Sequence, residues 1–507
     1  ESLVFDPAKH FAWIKRNLSS NQLEKIKRCK CQDIHYLEEA HRFYPLDAAC
    51  SCIGNVDIDG IGIEGIEKTK NETLSGLAGI VHLRRDARSK NNRYFSRKII
   101  TAGKPGDNVR VTIDVPLQLM VHNEVQKTIN KLDAQGGAAI VMDPYNGHIH
   151  ALVSINSTTN DDSEKNSKSA NKNIPVSDCY ELGSVIKPFT ALAALEEKVT
   201  TTDELIDCQG EGALVKGFPV TNWKPLGVLP FSQVVGRSSN VGIAKVACRL
   251  GHKLYDHLKL LGFGEKTGIE LPGERLGFIN PPQKWSLGSL QVLSFGYEMN
   301  ATLIQLARAM GVVATGGKSV TPTLLFEKDT EKLMCHPRLD LGSSSTLQEK
   351  SSLKSSNHCE RKMPLDSGSK AGMTKEKHLT ESSFDHEKPK QLYSQHNIEL
   401  IKEILENADK RYGLCWSVGK LPGIRVMGKT GTARCIKDGE YSENDHVYTF
   451  AGIIEDGCYS RVIITFIKQP KRSDLWASQI TAPLFQRIAI KTFKRDMVTK
   501  NKMTYHT

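Results

Sequence analysis

The 507-residue chain has no run approaching the roughly 18 consecutive apolar residues that a helix needs to cross a bilayer, so no stretch of it reads as a membrane span. It offers no phosphate-cradling glycine loop, no His-Glu-x-x-His and no Gly-x-Ser-x-Gly elbow. Those absences argue against nucleotide hydrolase, zinc peptidase and α/β-hydrolase chemistry. Aromatic residues are only 7% of the chain, and no aromatic/basic stripe or zinc-finger spacing accompanies the net charge of +11. Nucleic acid is therefore not an expected partner, and the dispersed charge suits work beside anionic polymers or lipid head groups. The pairs Cys29-Lys-Cys31 and Cys50-Ser-Cys52 are spaced too tightly for ordinary zinc ligands, so no metal is expected. Twelve cysteines permit disulfides in an oxidising compartment, without a readable connectivity. Cys435 reads as a buried strand residue. Residues 328–392 are the poorest segment, with 11 Ser, 10 Lys and Phe384 as the sole aromatic. Too little apolar surface is present to offset ordering, so a mobile surface insertion is expected there, a solvated spacer before a docking site. Elsewhere, 39% hydrophobic content suffices for two or three domains.

Three motifs stand in order: Ser184-Val-Ile-Lys187, Ser238-Ser239-Asn240 and Lys429-Thr430-Gly431-Thr432. Together they supply a nucleophile, a base, a proton relay and an anion clamp, the parts of acyl transfer through a serine ester. Singly they mean little. Ser-x-x-Lys occurs five times, at Ser169, Ser184, Ser351, Ser367 and Ser417, and Lys-Thr-Gly twice, at Lys266 and Lys429. Context separates them. Ser184 opens an Ala/Leu-rich stretch to Lys198 with Pro188 in its first turn, a helix start that puts Lys187 on the same face one turn on. The copies at Ser169, Ser351 and Ser367 lie in polar runs that bury nothing, and Ser417 leads into a Leu-Pro-Gly turn.

Lys429 lies in an alternating segment from Gly423 to Ala433 that predicts a strand, with further strands over His446 to Glu455 and Arg461 to Lys468. Lys266 sits in a glycine-rich connection and reads as loop. Ser238-Ser239-Asn240 falls between a helix near Phe231 to Val235 and another beginning at Val241, where a residue can point into a cleft. The same triplet also fits a plain helix cap.

These motifs resemble those of the class B penicillin-binding proteins, most closely the division-specific peptidoglycan D,D-transpeptidases. The likeness extends to Arg42-Phe-Tyr-Pro45 and Gly60 to Glu67, similar to an N-terminal pedestal module. Thr112 to Gln118 and Gly137 to Gly147 resemble the start of the transpeptidase domain. Thr267 to Glu274 and Ser294-Phe-Gly-Tyr297 fit as well, the last favouring division over elongation. The chain departs from the family at Leu182, where proline is usual, and at Glu298, where glycine is usual. The first is expected to loosen the serine turn and the second to alter the cleft floor.

The resemblance implies a mixed α/β fold whose largely antiparallel sheet is flanked by helices. It implies a partial pedestal over 1–109, a transpeptidase domain over 110–495 with the 328–392 insertion, and a basic tail over 496–507. Ser184 would be the nucleophile and neutral Lys187 its base, its pKa lowered by burial and by Lys429. Ser238 would relay the proton, and Asn240 would hold the substrate backbone. Lys429, Thr430, Gly431 and Thr432 would bind the terminal carboxylate, and the backbone N–H groups of Ser184 and Thr432 would form the oxyanion hole. No cofactor is needed. The implied substrate is a peptide stem ending in D-Ala-D-Ala, which β-lactams imitate, and implied partners are membrane glycan polymerases and divisome proteins. The implied place is the periplasmic face of the inner membrane, held by an anchor N-terminal to this chain. Rival readings are a D,D-carboxypeptidase or β-lactamase on the same motifs, and a non-catalytic penicillin sensor or scaffold. The Leu-Asn pair of a class A β-lactamase loop is missing throughout.

Overall fold

The computed structural model describes residues 14–29, 34, 41–85, 94–157, 172–208, 213–326, 388–407, 423–437, 440–457, 459–472 and 475–504. A five-stranded, wholly antiparallel sheet organises them. Its strands are β1 (Gly136–Met142), β2 (Ile149–Asn156), β3 (Arg425–Lys437), β4 (Glu440–Asp456) and β5 (Tyr459–Lys468), in the spatial order β3-β4-β5-β1-β2. β1 is buried along its whole length, as an apolar Gly-Gly-Ala-Ala-Ile-Val-Met run covered on both faces must be. β3 lies at the edge, so one row of its backbone groups has no strand partner.

Helices cover both faces. On one side, α1 (Val115–Leu132) and the long C-terminal helix (Ala477–Thr504) enclose a core containing Val121, Val125, Ile463, Phe450 and Phe485. Asp114 starts α1 by accepting the Leu117 N–H, with Pro116 in the first turn, where a missing N–H costs nothing. The C-terminal helix runs through the 495/496 boundary expected of a tail, as far as Thr504. On the other side α2 (Lys187–Glu196), α3 (Phe231–Gly236), α4 (Asn240–Leu250) and α5 (Leu303–Ala314) share a larger core with Phe466 of β5 and Met427 of β3. The fold is thus the mixed α/β arrangement expected, with an antiparallel sheet between helical layers.

Ala48, Cys52 and Thr69 pack on this body. Arg42 forms an ion pair with the buried Glu67 at 2.8 Å, which joins the two pedestal-like motifs. Gln118 of α1 donates to the Ala48 and Leu152 carbonyls, and Cys52 Sγ donates to the Leu152 carbonyl. All described cysteines are free thiols. Of the expected insertion, 328–387 lies outside the described residues, and Gln391 bridges to Lys318 on the body. Among the described residues, no helix is long and apolar enough to cross a membrane.

Candidate active site

Ser184 does not open an α-helix directly. It sits in a 3₁₀ turn, Gly183–Ile186, that leads into α2 at Lys187. The tighter turn still places Lys187 above Ser184, with Nζ 3.0 Å from Ser184 Oγ. Gly183 has φ +59°, and a Cβ there would come within 2.6 Å of the Thr432 carbonyl oxygen, so only glycine lets the serine turn approach β3 this closely. Gly431 meets the same turn from the other side, where an added Cβ would lie 2.5 Å from the Leu182 carbonyl oxygen. Leu182, the first departure from the family pattern, is buried in the core.

Ser238-Ser239-Asn240 divides its labour. Ser239 caps α4 by accepting the Gly242 N–H, so the capping reading holds for the middle residue. Ser238 and Asn240 turn to Lys187 instead. Ser238 has φ +59°, a left-handed backbone unusual for a residue with a Cβ. That conformation brings both its carbonyl and its hydroxyl to Lys187 Nζ, at 2.7 and 2.9 Å. Asn240 Oδ1 accepts from the same amine at 2.7 Å, while its Nδ2 donates to the Thr221 carbonyl. Asn222, which carried no signal in the sequence, holds the turn: its Oδ1 accepts from Ser239 Oγ and from the backbone N–H groups of Asn240 and Val241.

Lys187 is fully buried, and its four oxygen partners include no carboxylate. Burial first, and the charge of Lys429 second, hold its amine well below the usual lysine range. Lys429, also buried, donates from Nζ to Ser238 Oγ at 3.0 Å and to the Thr430 carbonyl. Ser238 Oγ therefore lies between the two lysines. Strand alternation puts Lys429 and Gly431 on one face of β3 and Thr430 and Thr432 on the other; Thr430 is buried and Thr432 half-buried. Contrary to the expected absence of a phosphate loop, Gly423 to Thr430 spells Gly-x4-Gly-Lys-Thr. Its second half runs in β3 and leads to β4, so no helix N-terminus follows to cradle a phosphate.

The cleft floor is Ser294-Phe-Gly-Tyr297. Ser294 accepts from Thr190 of α2, Gly296 accepts the Gly183 N–H, and the Phe295 ring centroid is 6.0 Å from Lys187 Nζ. Glu298, the second departure, has φ +53° and donates its N–H to Glu181. Burial pushes the Glu181 carboxyl up from its usual range. Lys266-Thr-Gly268 is a loop whose Thr267 is held by Glu274, away from these groups. The other Ser-x-x-Lys serines, 169, 351, 367 and 417, lie outside the described residues. A polar cavity of about 150 Å³ beside Asp47, His122 and Asn156 shares no residue with the site. Among the described residues, no cluster of three or more His, Cys, Asp or Glu could hold a metal.

The arrangement can deprotonate a serine with a neutral lysine, pass the proton to a second serine, and present positive charge beside it. The penicillin binding protein transpeptidase domain matches residues 137–489. The probable peptidoglycan D,D-transpeptidase PbpC of Pseudomonas aeruginosa is 25% identical over 96% of this chain and 76% of its own length. Stage V sporulation protein D of Bacillus subtilis is 28% identical over 93% and 67%. Among solved structures, penicillin binding protein 3 of Mycobacterium tuberculosis in its apo form superposes with a TM-score of 0.67 at 26% identity, over 90% of this chain and 91% of that one. A structure of the same protein is complexed with aztreonam.

Proposed function

The chain belongs to the penicillin-binding protein transpeptidase family, and from that membership we propose that it is a class B peptidoglycan D,D-transpeptidase, acting through an acyl-enzyme on Ser184 in septal wall synthesis. The observation that carries this reading is the buried Lys187 amine lying within 3.0 Å of both Ser184 Oγ and Ser238 Oγ.

Ser184 Oγ attacks the carbonyl of the penultimate D-Ala while its proton passes to the neutral Lys187 amine. The oxyanion is held by the backbone N–H groups of Ser184 and Thr432. Collapse breaks the peptide bond; the proton travels through Ser238 to the departing D-Ala amine, and the stem remains as an ester on Ser184. An amine of a neighbouring stem then attacks that ester, gives up a proton along the same path, and leaves as the cross-linked product. Lys429, Thr430, Gly431 and Thr432 form the wall that receives the terminal carboxylate. Asn240, already bonded to Lys187, orients that amine as well as the substrate backbone. The septal role rests on the Phe295-Gly-Tyr297 context, and placement on the periplasmic face of the inner membrane, beside divisome partners, rests on the family. The layout of a pedestal over 1–109 and a transpeptidase domain over 110–495 belongs to the same proposal, supported by the Arg42–Glu67 pair.

Intact mass after exposure to a β-lactam tests the reading. A stable one-to-one adduct that disappears in Ser184→Ala supports it. A transient adduct with drug turnover moves the protein to the hydrolases, and no adduct on the wild type removes the acyl-enzyme reading. A D-Ala-D-Ala peptide supplied with an amine acceptor then separates a transpeptidase, which forms the cross-linked amide, from a carboxypeptidase, which yields only the shortened acid.

A further inference from the structure

Segments far apart in the chain meet at one carboxylate beside the serine turn. Glu181 Oε1 accepts from the Tyr441 hydroxyl at 3.0 Å and from the Glu298 N–H at 3.1 Å. Tyr441 pairs with Ile436 near the end of the β3–β4 hairpin, so it moves with the strand that carries Lys429 to Thr432. Glu181 lies three residues before Ser184, so it moves with the nucleophile. The Tyr297 ring packs edge-on against Tyr441 at 5.9 Å, and Phe295 against Tyr297 at 5.8 Å, which continues the contact to the ring beside Lys187. Asn280 Nδ2 holds the Glu298 carboxylate at 2.8 Å, fixing the left-handed residue whose N–H also points at Glu181. Glu181 Oε2 is buried without a hydrogen-bond partner among the described residues.

Among the described residues, no hydrogen bond links Tyr441 or Glu181 to Ser184, Lys187 or Ser238, so neither is placed to move a proton. They instead join the two sides of the site across the gap where Gly183 meets Thr432. We infer that Tyr441 and Glu181 are a positioning pair for acyl transfer: their hydrogen bond sets the spacing between the Ser184 turn and the Thr432 edge of β3, and with it the spacing of the two N–H groups that receive the oxyanion. This rests on the acyl-enzyme reading above. At 3.0 Å the bond is at the long end of the ordinary O–H···O range, so its role is to hold a spacing and not to add strength. Small displacements of reacting groups cost large factors in rate, whereas ground-state binding tolerates them.

The test measures penicillin acylation of the full chain by stopped-flow or intact mass across drug concentrations, which separates the acylation rate constant from non-covalent affinity. Tyr441→Phe should lower the rate constant about tenfold and leave the dissociation constant within about twofold. Glu181→Gln, which keeps an acceptor oxygen, should lose less than Glu181→Ala. The double variant Tyr441→Phe/Glu181→Ala should be no slower than the worse single, because both remove the same Tyr441–Glu181 bond. Melting temperature controls for folding, and Tyr441→Phe, at a residue 45% exposed, keeps the test alive if Glu181→Ala misfolds. A wild type that forms no adduct defeats the acyl-enzyme reading, not the pair. A wild type that acylates, with Tyr441→Phe equally fast, or slowed only through weaker binding, overturns the pair. So do additive losses in the double variant.

Discussion

The two walls of the candidate active site are assembled by different means. The core of the helical wall is local, since Ser184 and Lys187 are three residues apart on one turn; Ser238, 51 residues from Lys187, lies in the connection between α3 and α4, and Asn240 is the first residue of α4. The strand wall is non-local. Lys429 to Thr432 sit at the edge of a sheet that joins the adjacent strands β4 and β5 to β1 and β2, drawn from residues 136–156. Contacts between the walls span 191 residues for Lys429 with Ser238 and 260 for Tyr441 with Glu181. A motif can therefore be complete in the sequence while its working geometry depends on residues that no motif contains.

Breaking the helical wall should have the largest effect. Lys187→Met removes the proposed base and should slow acylation by roughly 10²–10⁴-fold, read as adduct formation over time. Breaking the bridge between walls should come next. Lys429→Met should slow acylation at neutral pH about a hundredfold, as loss of one preorganised electrostatic group does. Its diagnostic is the pH profile. In the proposed mechanism neutral Lys187 is the reactive form, so wild-type acylation should rise as pH rises through its depressed pKa and level off above. Removing the neighbouring positive charge raises that pKa, so the rising limb should move to higher pH; burial, the larger cause, keeps it below that of a free lysine. A limb that stays in place would show that Lys429 does not act on Lys187.

Gly183→Ala tests how closely the walls must meet. A Cβ at φ +59° that also strikes the Thr432 carbonyl should cost roughly 1–3 kcal/mol in urea denaturation, along with slower acylation. Asn222→Ala leaves the N–H groups of Asn240 and Val241 without their acceptor and should cost about 1–2 kcal/mol of stability. The smallest effect sharpens the contrast from outside. Lys266→Ala, on the exposed duplicate of the Lys-Thr-Gly motif, should leave acylation within about twofold, as surface changes usually do.

Much of the helical wall was legible because its information is local. Apolar periodicity and Pro188 announced the helix after Ser184, though the 3₁₀ turn before it has no separate signature. Asn240, not Val241, opens α4, a one-residue shift set by the Ser239 cap. The alternation from Gly423 announced β3, but nothing in it says that β3 is an edge strand, since order within a sheet is fixed by pairing. The hairpin partner begins at Glu440, six residues before the expected His446, because polar Tyr441 to Asp445 extend the ladder without apolar alternation. Asn222, Glu181 and Tyr441 were invisible for the same reason. Each acts by hydrogen-bonding a distant backbone or side chain, and single polar residues carry no period.

Ser238 holds a left-handed backbone that glycine would adopt at lower cost, by an amount on the order of 1–2 kcal/mol for a residue with a Cβ. Selection for folding alone would drift this position to glycine, and Ser238→Gly is correspondingly the kind of substitution that can stabilise the chain while silencing it. The hydroxyl between the two lysines thus marks a position where durability and activity pull in opposite directions. Stabilising screens run without a functional readout would be expected to discard it.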